Sequence, residues 1–316
     1  MRILVTGGAG FIGSHIVEDF LADGVSVRVL DNFSSGKRAN LENLCGDAST
    51  GSARRLEILE GDLRDEETVR AAVRGVELIF HLAAFISVPE SMTDPETCFA
   101  VNVAGTVTLL EAARQARVRK VVLSSSTAVY GNPEKNPTDE ATALKPLSPY
   151  ALSKQINELY ARLYTQTFGL PVVALRYFNV YGPRQRPDSD YAAAIPIFIR
   201  QLVAGEPITI FGDGKQSRDF IFVKDVVRAN RLAAESNAAG EAYNVCTGRE
   251  TTLLDLLEEL SEISPRQPEV CFTAPRAGDV YRSAGDPAKA AAELGFRAEV
   301  SLAEGLAQTV EWMRVK

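Results

Sequence analysis

The chain has 316 residues, 46% hydrophobic and 24% charged, the balance of a soluble globular protein with ample surface to bury. Its net charge of −7 argues against nucleic acid or an anionic membrane as the main partner, because both are held by basic surface. Cys45, Cys98, Cys246 and Cys271 are scattered without a CxxC pair, and His15 and His81 are the only histidines, so no metal site, disulfide framework or Ser-His-Asp triad is expected.

In chain order, "MRILVTGG" enters a strand pattern at once, with no signal-peptide layout. No apolar run approaches the roughly 20 residues that span a bilayer, so a cytoplasmic protein is expected. Nearly continuous apolar runs follow at 2–6 (RILVT), 25–30 (VSVRVL), 56–59 (LEIL), 77–82 (ELIFHL), 120–125 (KVVLSS) and 171–178 (PVVALRYF). Such runs suit strands covered on both faces. Helical patterns lie between them, as with Gly13, Ile16, Val17, Phe20 and Leu21. The alternation predicts a Rossmann-type α/β fold, a doubly wound parallel sheet with right-handed crossovers.

After residue 179 the rhythm changes. "YGPRQRPDSDYAAAIP" reads as a polar loop entering a helix, and "ITIFGDGKQSRDF" as strand, turn, strand. Two helices follow, with Thr251 or Thr252 and Ser301 as N-caps. The expectation is a dinucleotide-binding domain over 1–178, rejoined by about 220–248, and a smaller C-terminal α/β domain over 179–316. The stretch 45–55 (CGDASTGSARR) is expected to be a mobile loop.

"VTGGAGFIGSH" follows the first strand and opens the first helix. Gly8, Gly10 and Gly13 satisfy G-x-G-x-x-G, and Gly7, Gly10 and Gly13 satisfy G-x-x-G-x-x-G. Glycines there let backbone N–H groups approach a pyrophosphate at a helix N-terminus. Asp31 ends the second strand at the spacing of a ribose-binding acid, which favours NAD over NADP, with a loop cap as the alternative. Asp62 could hold the adenine amino group or mark a turn. In "SPYALSK", Tyr150 and Lys154 share a helix face at i and i+4. A phenol of pKa about 10 must lose roughly 3 units, or about 4 kcal/mol, to act as a base near neutrality. One unit charge about 4 Å away at an effective dielectric of about 20 is worth that much, so Lys154 and a positive nicotinamide ring together suffice.

The motifs "TGGAGFIG", "DNFSSG", "GDLRD", "HLAA", "VNVAGT", "SSSTAVYG", "SPYALSK", "LRYFNVYGPRQ", "GDGKQSRDF" and "RAGDV" occur in the order seen in extended short-chain dehydrogenase/reductases. The chain most resembles, over nearly its whole length, the NAD-dependent nucleotide-sugar epimerases that act on UDP-glucose and UDP-N-acetylglucosamine at C4. The resemblance implies a catalytic set of Tyr150, Lys154 and Ser126, with Ser126 facing the substrate and Ser124 and Ser125 on the cofactor side or structural. It implies NAD lined by Gly7, Gly10, Phe11, Ile12 and Gly13, then by Asp31, Asn32, Ser34, Ser35 and Gly36. Asp62, Leu63, Leu82, Ala83, Ala84, Asn102 and Tyr177 complete the lining, with Asn102 orienting Lys154 and the ribose or else capping a helix.

For the substrate it implies Ser87 and Asn179, a uracil-lining strand with Thr209, Ile210 and Phe211, and a diphosphate clamp of Arg218 and Arg276. Phe211 and Tyr177 have core packing as their alternative, and Arg184 and Arg186 a solvated surface. Ser283 falls where relatives narrow or open the sugar pocket, and a small serine there leaves room for an N-acetyl group. A homodimer through the Tyr150 helix and its neighbour at 95–116 is also implied. Related dehydratases carry Asp-Glu after the catalytic hydroxyl and decarboxylases a glutamate, whereas Thr127 and Ala128 stand here. A UDP-glucuronate 4-epimerase, a lyase or a net reductase on the same fold remain alternatives, and a catalytically dead sensor has no use for the Tyr150, Lys154 and Ser126 set.

Overall fold

The apolar runs become six strands: β1 (Arg2–Thr6), β2 (Ser26–Asp31), β3 (Leu56–Glu60), β4 (Leu78–His81), β5 (Lys120–Ser126) and β6 (Val172–Tyr177). The helices among them are α1 (Phe11–Ala22), α2 (Ala39–Glu42), α3 (Glu66–Val73), α4 (Val88–Thr93), α5 (Pro95–Phe99), α6 (Gly105–Gln115) and α7 (Pro149–Phe168). A π-helical turn, Ala100–Ala104, joins α5 to α6. This is a computed structural model, and it describes residues 1–42, 44, 55–187, 193–264, 268–275 and 280–315. Residues 45–54 of the expected mobile loop, and Arg276, lie outside the described residues.

The rest of the chain supplies β7 (Asn179–Tyr181), α8 (Ala194–Ala204), β8 (Ile208–Phe211), β9 (Ser217–Arg218), β10 (Phe220–Phe222), α9 (Val223–Glu235) and β11 (Ala242–Val245). Then come β12 (Thr251–Thr252), α10 (Leu253–Ile263), β13 (Val270–Thr273), β14 (Arg282–Ser283), α11 (Ala288–Leu294) and α12 (Leu302–Val315).

Among the described residues one sheet holds seven strands in the order β11-β6-β5-β4-β1-β2-β3, every pairing parallel. The order reverses between β1 and β4, and a ligand crevice in such a sheet opens at the carboxyl ends of those strands. Alternation along each strand feeds two cores. Ile3, Val5, Val27 and Val29 pack under Ile16 and Phe20 of α1 and under α9. Leu4, Leu30, Ile79 and Val121 pack under α3, α6 and α7. One strand departs from the expectation of double cover: in β3 the residues Glu57, Ile58 and Glu60 are exposed, because β3 is an edge strand paired only to β2.

A third core gathers Phe198, Ile208, Ile210, Phe222, Leu256 and Leu306. Here β8 pairs with β13 rather than with β9 across the Gly-Asp-Gly turn. Thr252 and Asp255 form a reciprocal capping box on α10, and the Ser301 hydroxyl accepts the Glu304 N–H at the start of α12. No described helix is long and apolar enough to cross a membrane.

Candidate active site

The glycine loop is shaped by two close approaches. Gly7 holds φ at +69°, and a Cβ there would sit 2.7 Å from the backbone nitrogen of Ala83. A Cβ on Gly13 would sit 2.2 Å from the Gly7 carbonyl oxygen. The loop therefore lies flush against the chain leaving β4, and α1 begins at Gly10 with no side-chain cap and no acid in its first turn. The N–H groups and positive end of that turn are left for an anion, and any larger residue would fill the cradle. A dinucleotide pyrophosphate fits these residues.

Asp31 closes β2 with its carboxylate buried. Its Oδ2 accepts the Ala9 N–H at 2.9 Å and its Oδ1 accepts the Phe33 N–H at 2.8 Å. Burial pushes its pKa up against those two bonds. Asp31 thus braces the glycine loop from the place where a ribose would lie. Asn32 donates to Asp62 at 2.8 Å and accepts the Ser34 N–H at 3.0 Å, so these three predicted residues meet. Arg64 forks onto Asp62 at 2.8 and 2.9 Å and holds its carboxyl well below the usual range. Asp62 lies two residues past the end of β3.

Arg184 and Arg186 are not merely solvated. Arg184 donates to Glu18 on α1 at 2.6 Å, and Arg186 donates to the Ser35 carbonyl at 3.4 Å. His15 adds a 2.9 Å bond from its ring to the Pro183 carbonyl, and burial pulls its pKa down to about 4. The chain after β7 is thereby tied across α1 to the loop after β2.

His81 carries a signal that motif reading missed. The Ala83 N–H donates to Thr6 Oγ1 at 3.3 Å, and Thr6 Oγ1 lies 2.7 Å from His81 Nδ1. His81 Nε2 lies 2.9 Å from Thr106 Oγ1, which donates to the Asn102 carbonyl at 2.6 Å. Because Thr106 already donates, Nε2 must carry the proton and Nδ1 must accept from Thr6. Burial pulls the His81 pKa down to about 3, so the ring is neutral and the relay is structural. Asn102 sits in the π-helical turn, clamps the Phe85 backbone at 2.7 and 3.0 Å, and donates to Ser153 Oγ at 2.9 Å. It reaches the neighbour of Lys154, not Lys154 itself, and it caps no helix.

Ser148 caps α7 and Pro149 opens it, which sets Tyr150 in the first turn and Lys154 one turn on. Burial pushes the Tyr150 pKa up, and the neighbouring Ser126 hydroxyl works against that shift. Lys154 donates to the Ser124 carbonyl at 2.9 Å and its Oγ at 3.3 Å, with its Nζ 5.8 Å from the centre of the Tyr150 ring. Burial pulls the Lys154 pKa down to about 8. In the chain by itself the phenol stays above its ordinary pKa, because burial is the larger effect. One turn beyond Lys154, Glu158 accepts from Ser125 Oγ at 2.5 Å and from Arg176 at 2.9 Å. Arg176 also donates to the Tyr130 hydroxyl at 2.7 Å. This buried network pins the serine end of β5 to α7, and a glutamate four residues after Lys154 was its only trace in sequence.

On the substrate side, β14 runs parallel to β9 with Ser283 opposite Arg218. Asn179 donates to the Asp219 carbonyl from its N–H at 3.0 Å and its side chain at 3.3 Å. Asn179, Arg218 and Ser283 are thus brought together. On β8 the half-buried Thr209 and Phe211 alternate with Ile208 and Ile210, and only the isoleucines enter the third core. Two predicted residues are otherwise engaged. Tyr177 is in the core with its hydroxyl on Asn230 at 3.0 Å, because its strand is covered there by α9, and Ser87 accepts the Glu90 N–H as the cap of α4.

Residues 3–246 match the family described as the NAD dependent epimerase/dehydratase family. A UDP-glucose 4-epimerase of Mycolicibacterium smegmatis is 44% identical over 100% of this chain and 99% of its own. A UDP-glucose 4-epimerase of Thermotoga maritima, solved with UDP-glucose, superposes with a TM-score of 0.92 at 41% identity over 100% of this chain and 99% of that one. A UDP-N-acetylglucosamine 4-epimerase of Methanobrevibacter ruminantium, in complex with UDP-N-acetylmuramic acid, gives 0.93 at 39% identity over 99% and 97%. With the glycine cradle and the buried Asp31 in place, the chain belongs to this family of NAD-dependent enzymes.

Proposed function

We propose that the chain is a UDP-sugar 4-epimerase that interconverts UDP-glucose with UDP-galactose and UDP-N-acetylglucosamine with UDP-N-acetylgalactosamine. The observation that carries this reading is Lys154, buried one turn after Tyr150 on α7 and donating to the Ser124 carbonyl at 2.9 Å, at the end of β5 that also carries Ser126. NAD held by the glycine loop and Asp31 would supply the hydride acceptor for C4 and a positive charge. Tyr150 takes the C4 hydroxyl proton as the C4–H hydride departs, which leaves a 4-keto sugar. Ser126 keeps a hydrogen bond on the sugar oxygen throughout, and the Lys154 ammonium favours the phenolate. The keto sugar turns within the pocket, regains the hydride on its other face and recovers its proton from Tyr150. Net redox change is zero.

Asn179, Thr209, Phe211, Arg218 and Ser283 hold the nucleotide sugar in this reading, and the relatives named above support the substrate class. The small Ser283 beside Arg218 leaves room for the N-acetyl group. Thr127 and Ala128 form the turn after β5 and bring no carboxyl group, whereas loss of water or CO2 needs further acid–base help there. The described cysteines Cys98, Cys246 and Cys271 are free thiols, which suits a reducing cytoplasm.

A homodimer belongs to the same reading. Leu152, Leu159 and Leu163 form an exposed stripe on α7, 48, 57 and 45% accessible, and Phe99 of α5 adds to it at 57%. Leu159→Glu is expected to convert a dimer to a monomer in light scattering. The function itself is tested by NMR of purified enzyme with UDP-glucose and, separately, UDP-N-acetylglucosamine, with no NAD added. C4 epimers are the expected products, and no turnover even with NAD supplied sinks the reading and turns attention to UDP-glucuronate.

A further inference from the structure

Asp219, next to Arg218, is fully buried, and its carboxylate is surrounded by donors from two other loops. Oδ1 accepts the Thr247 N–H at 2.8 Å and the Thr247 hydroxyl at 2.7 Å. Oδ2 accepts the Gly248 N–H at 2.9 Å and the Gly285 N–H at 3.3 Å. Its carbonyl takes both donors of Asn179, at 3.0 and 3.3 Å. One residue thus joins the end of β9, the turn after β11, the turn after β14 and the start of β7. Arg218 precedes it directly, Ser283 stands two residues before Gly285, and Asn179 touches it. Those three residues come from short strands with little ladder of their own: β9 and β14 have two residues each and β7 three.

We propose that Asp219 is a positioning residue that sets the substrate-binding loops in register and thereby fixes affinity for the nucleotide sugar. It touches none of the reacting groups, and it makes no bond to the glycine loop, Tyr150 or Lys154. Its loss should therefore weaken substrate binding while the chemical step and the retained cofactor are preserved. The inference rests on the reading of Asn179, Arg218 and Ser283 as substrate residues.

Asp225 is a control within the same chain. It is also buried, and it accepts the Glu299 and Val300 N–H groups at 3.0 Å each and Arg228 at 2.8 Å. Those partners hold the chain before α12 and adjoin no proposed substrate residue. A buried acid that only stabilises the fold should behave like Asp225.

The experiment compares Asp219→Asn, Thr247→Val and Asp225→Asn with the wild type. Melting temperature, retained NAD, kcat and KM for UDP-glucose, and UDP affinity by calorimetry are measured on each. In Asp219→Asn an amide N–H must face a backbone N–H, and KM and the Kd for UDP are expected to rise together by roughly 10- to 100-fold with kcat nearly unchanged. Thr247→Val, which removes one donor and keeps the fold, should move both constants the same way by about threefold to tenfold. Asp225→Asn should lower the melting temperature and leave both constants unchanged. Wild-type constants in Thr247→Val and Asp219→Asn overturn the proposal, as does a loss of kcat, NAD and stability together in any Asp219→Asn that folds. If Asp219→Asn does not fold, Thr247→Val decides. A wild type that binds UDP but leaves UDP-glucose unchanged defeats the epimerase reading alone, with the UDP affinities still deciding on Asp219; a wild type that does not bind UDP overturns both.

Discussion

The two halves of the site are built in different ways. The core of the proposed cofactor half comes from consecutive chain: β1, the glycine loop, α1, β2 and the turn to Gly36 all lie within the first 36 residues, with later segments such as Asp62 and Ala83 packed against it. Its shape is set by main-chain approach, as at Gly7 and Gly13, and by a sheet in which every pairing is parallel. The proposed substrate half is assembled from pieces of two to four residues drawn from positions 179, 209–211, 218 and 283. Asp219 joins the pieces around 179, 218 and 283, whereas 209–211 is held by its ladder to β13. A binding surface made of backbone tolerates few substitutions, whereas one made of loop side chains can change its ligand without disturbing the fold.

Tyr150 sits on the seam between the halves, and its replacement should have the largest effect. Tyr150→Phe is expected to lower kcat by about 10²- to 10⁴-fold with NAD content and KM nearly intact, read by coupled assay and cofactor release. Loss of NAD in that variant would mean that the two halves are not separable at this residue. Ser283→Tyr should act on the substrate half alone. Activity on UDP-N-acetylglucosamine should fall roughly 100-fold while UDP-glucose activity persists, and an equal fall in both would refute the pocket argument.

Gly13→Ala strikes the other half. The new Cβ meets the Gly7 carbonyl at 2.2 Å, so a loss of about 1–3 kcal/mol in stability is expected, with reduced NAD content. The UDP affinity should stay close to that of the wild type, and calorimetry would expose any spread across the seam.

The smallest effect concerns pH. Lys154 is pulled down to about 8 from its ordinary 10.5, so between those values the unfolded chain binds more protons than the folded one. Stability contributed by this site should therefore rise with pH across that window. Lys120 is shifted in the same way, to about 8, and is unchanged in a Lys154→Met variant. The difference between the two melting curves isolates Lys154: the slope from pH 8 to 10 should be flatter in Lys154→Met, and identical slopes would mean that Lys154 is not held in a costly charged state.

Much of the first half was legible in sequence. Six apolar runs marked six strands within a residue or two, and the cradle was read from glycines because only glycine fits it. The edge position of β3 was not, since LEIL looks the same whether one or two neighbours cover it. The His81 relay escaped because it joins residues 6, 81, 83, 102 and 106 through a tautomer that no motif encodes. The pairing of β9 with β12 and β14 escaped because a two-residue strand has no period. Asp219 was overlooked beside Arg218, whose charge drew the reading toward a ligand. For the Tyr150–Lys154 pair, spacing gave proximity but could not tell that the ammonium would turn to Ser124.

The position of β11 has a consequence for synthesis. It is the outermost neighbour of β6, a strand buried along its whole length, yet it is encoded more than sixty residues later. At about 5–20 residues per second, the ribosome needs seconds to deliver it after β6 has emerged. During that interval a nascent chain already holding the complete glycine cradle carries an apolar, unpaired edge. A fragment ending before Ala242 is therefore expected to scatter light as it aggregates, and a fully soluble fragment would show that α9 or a chaperone-free collapse covers β6 first. Translation speed across this stretch is thus a determinant of yield that the finished enzyme does not reveal.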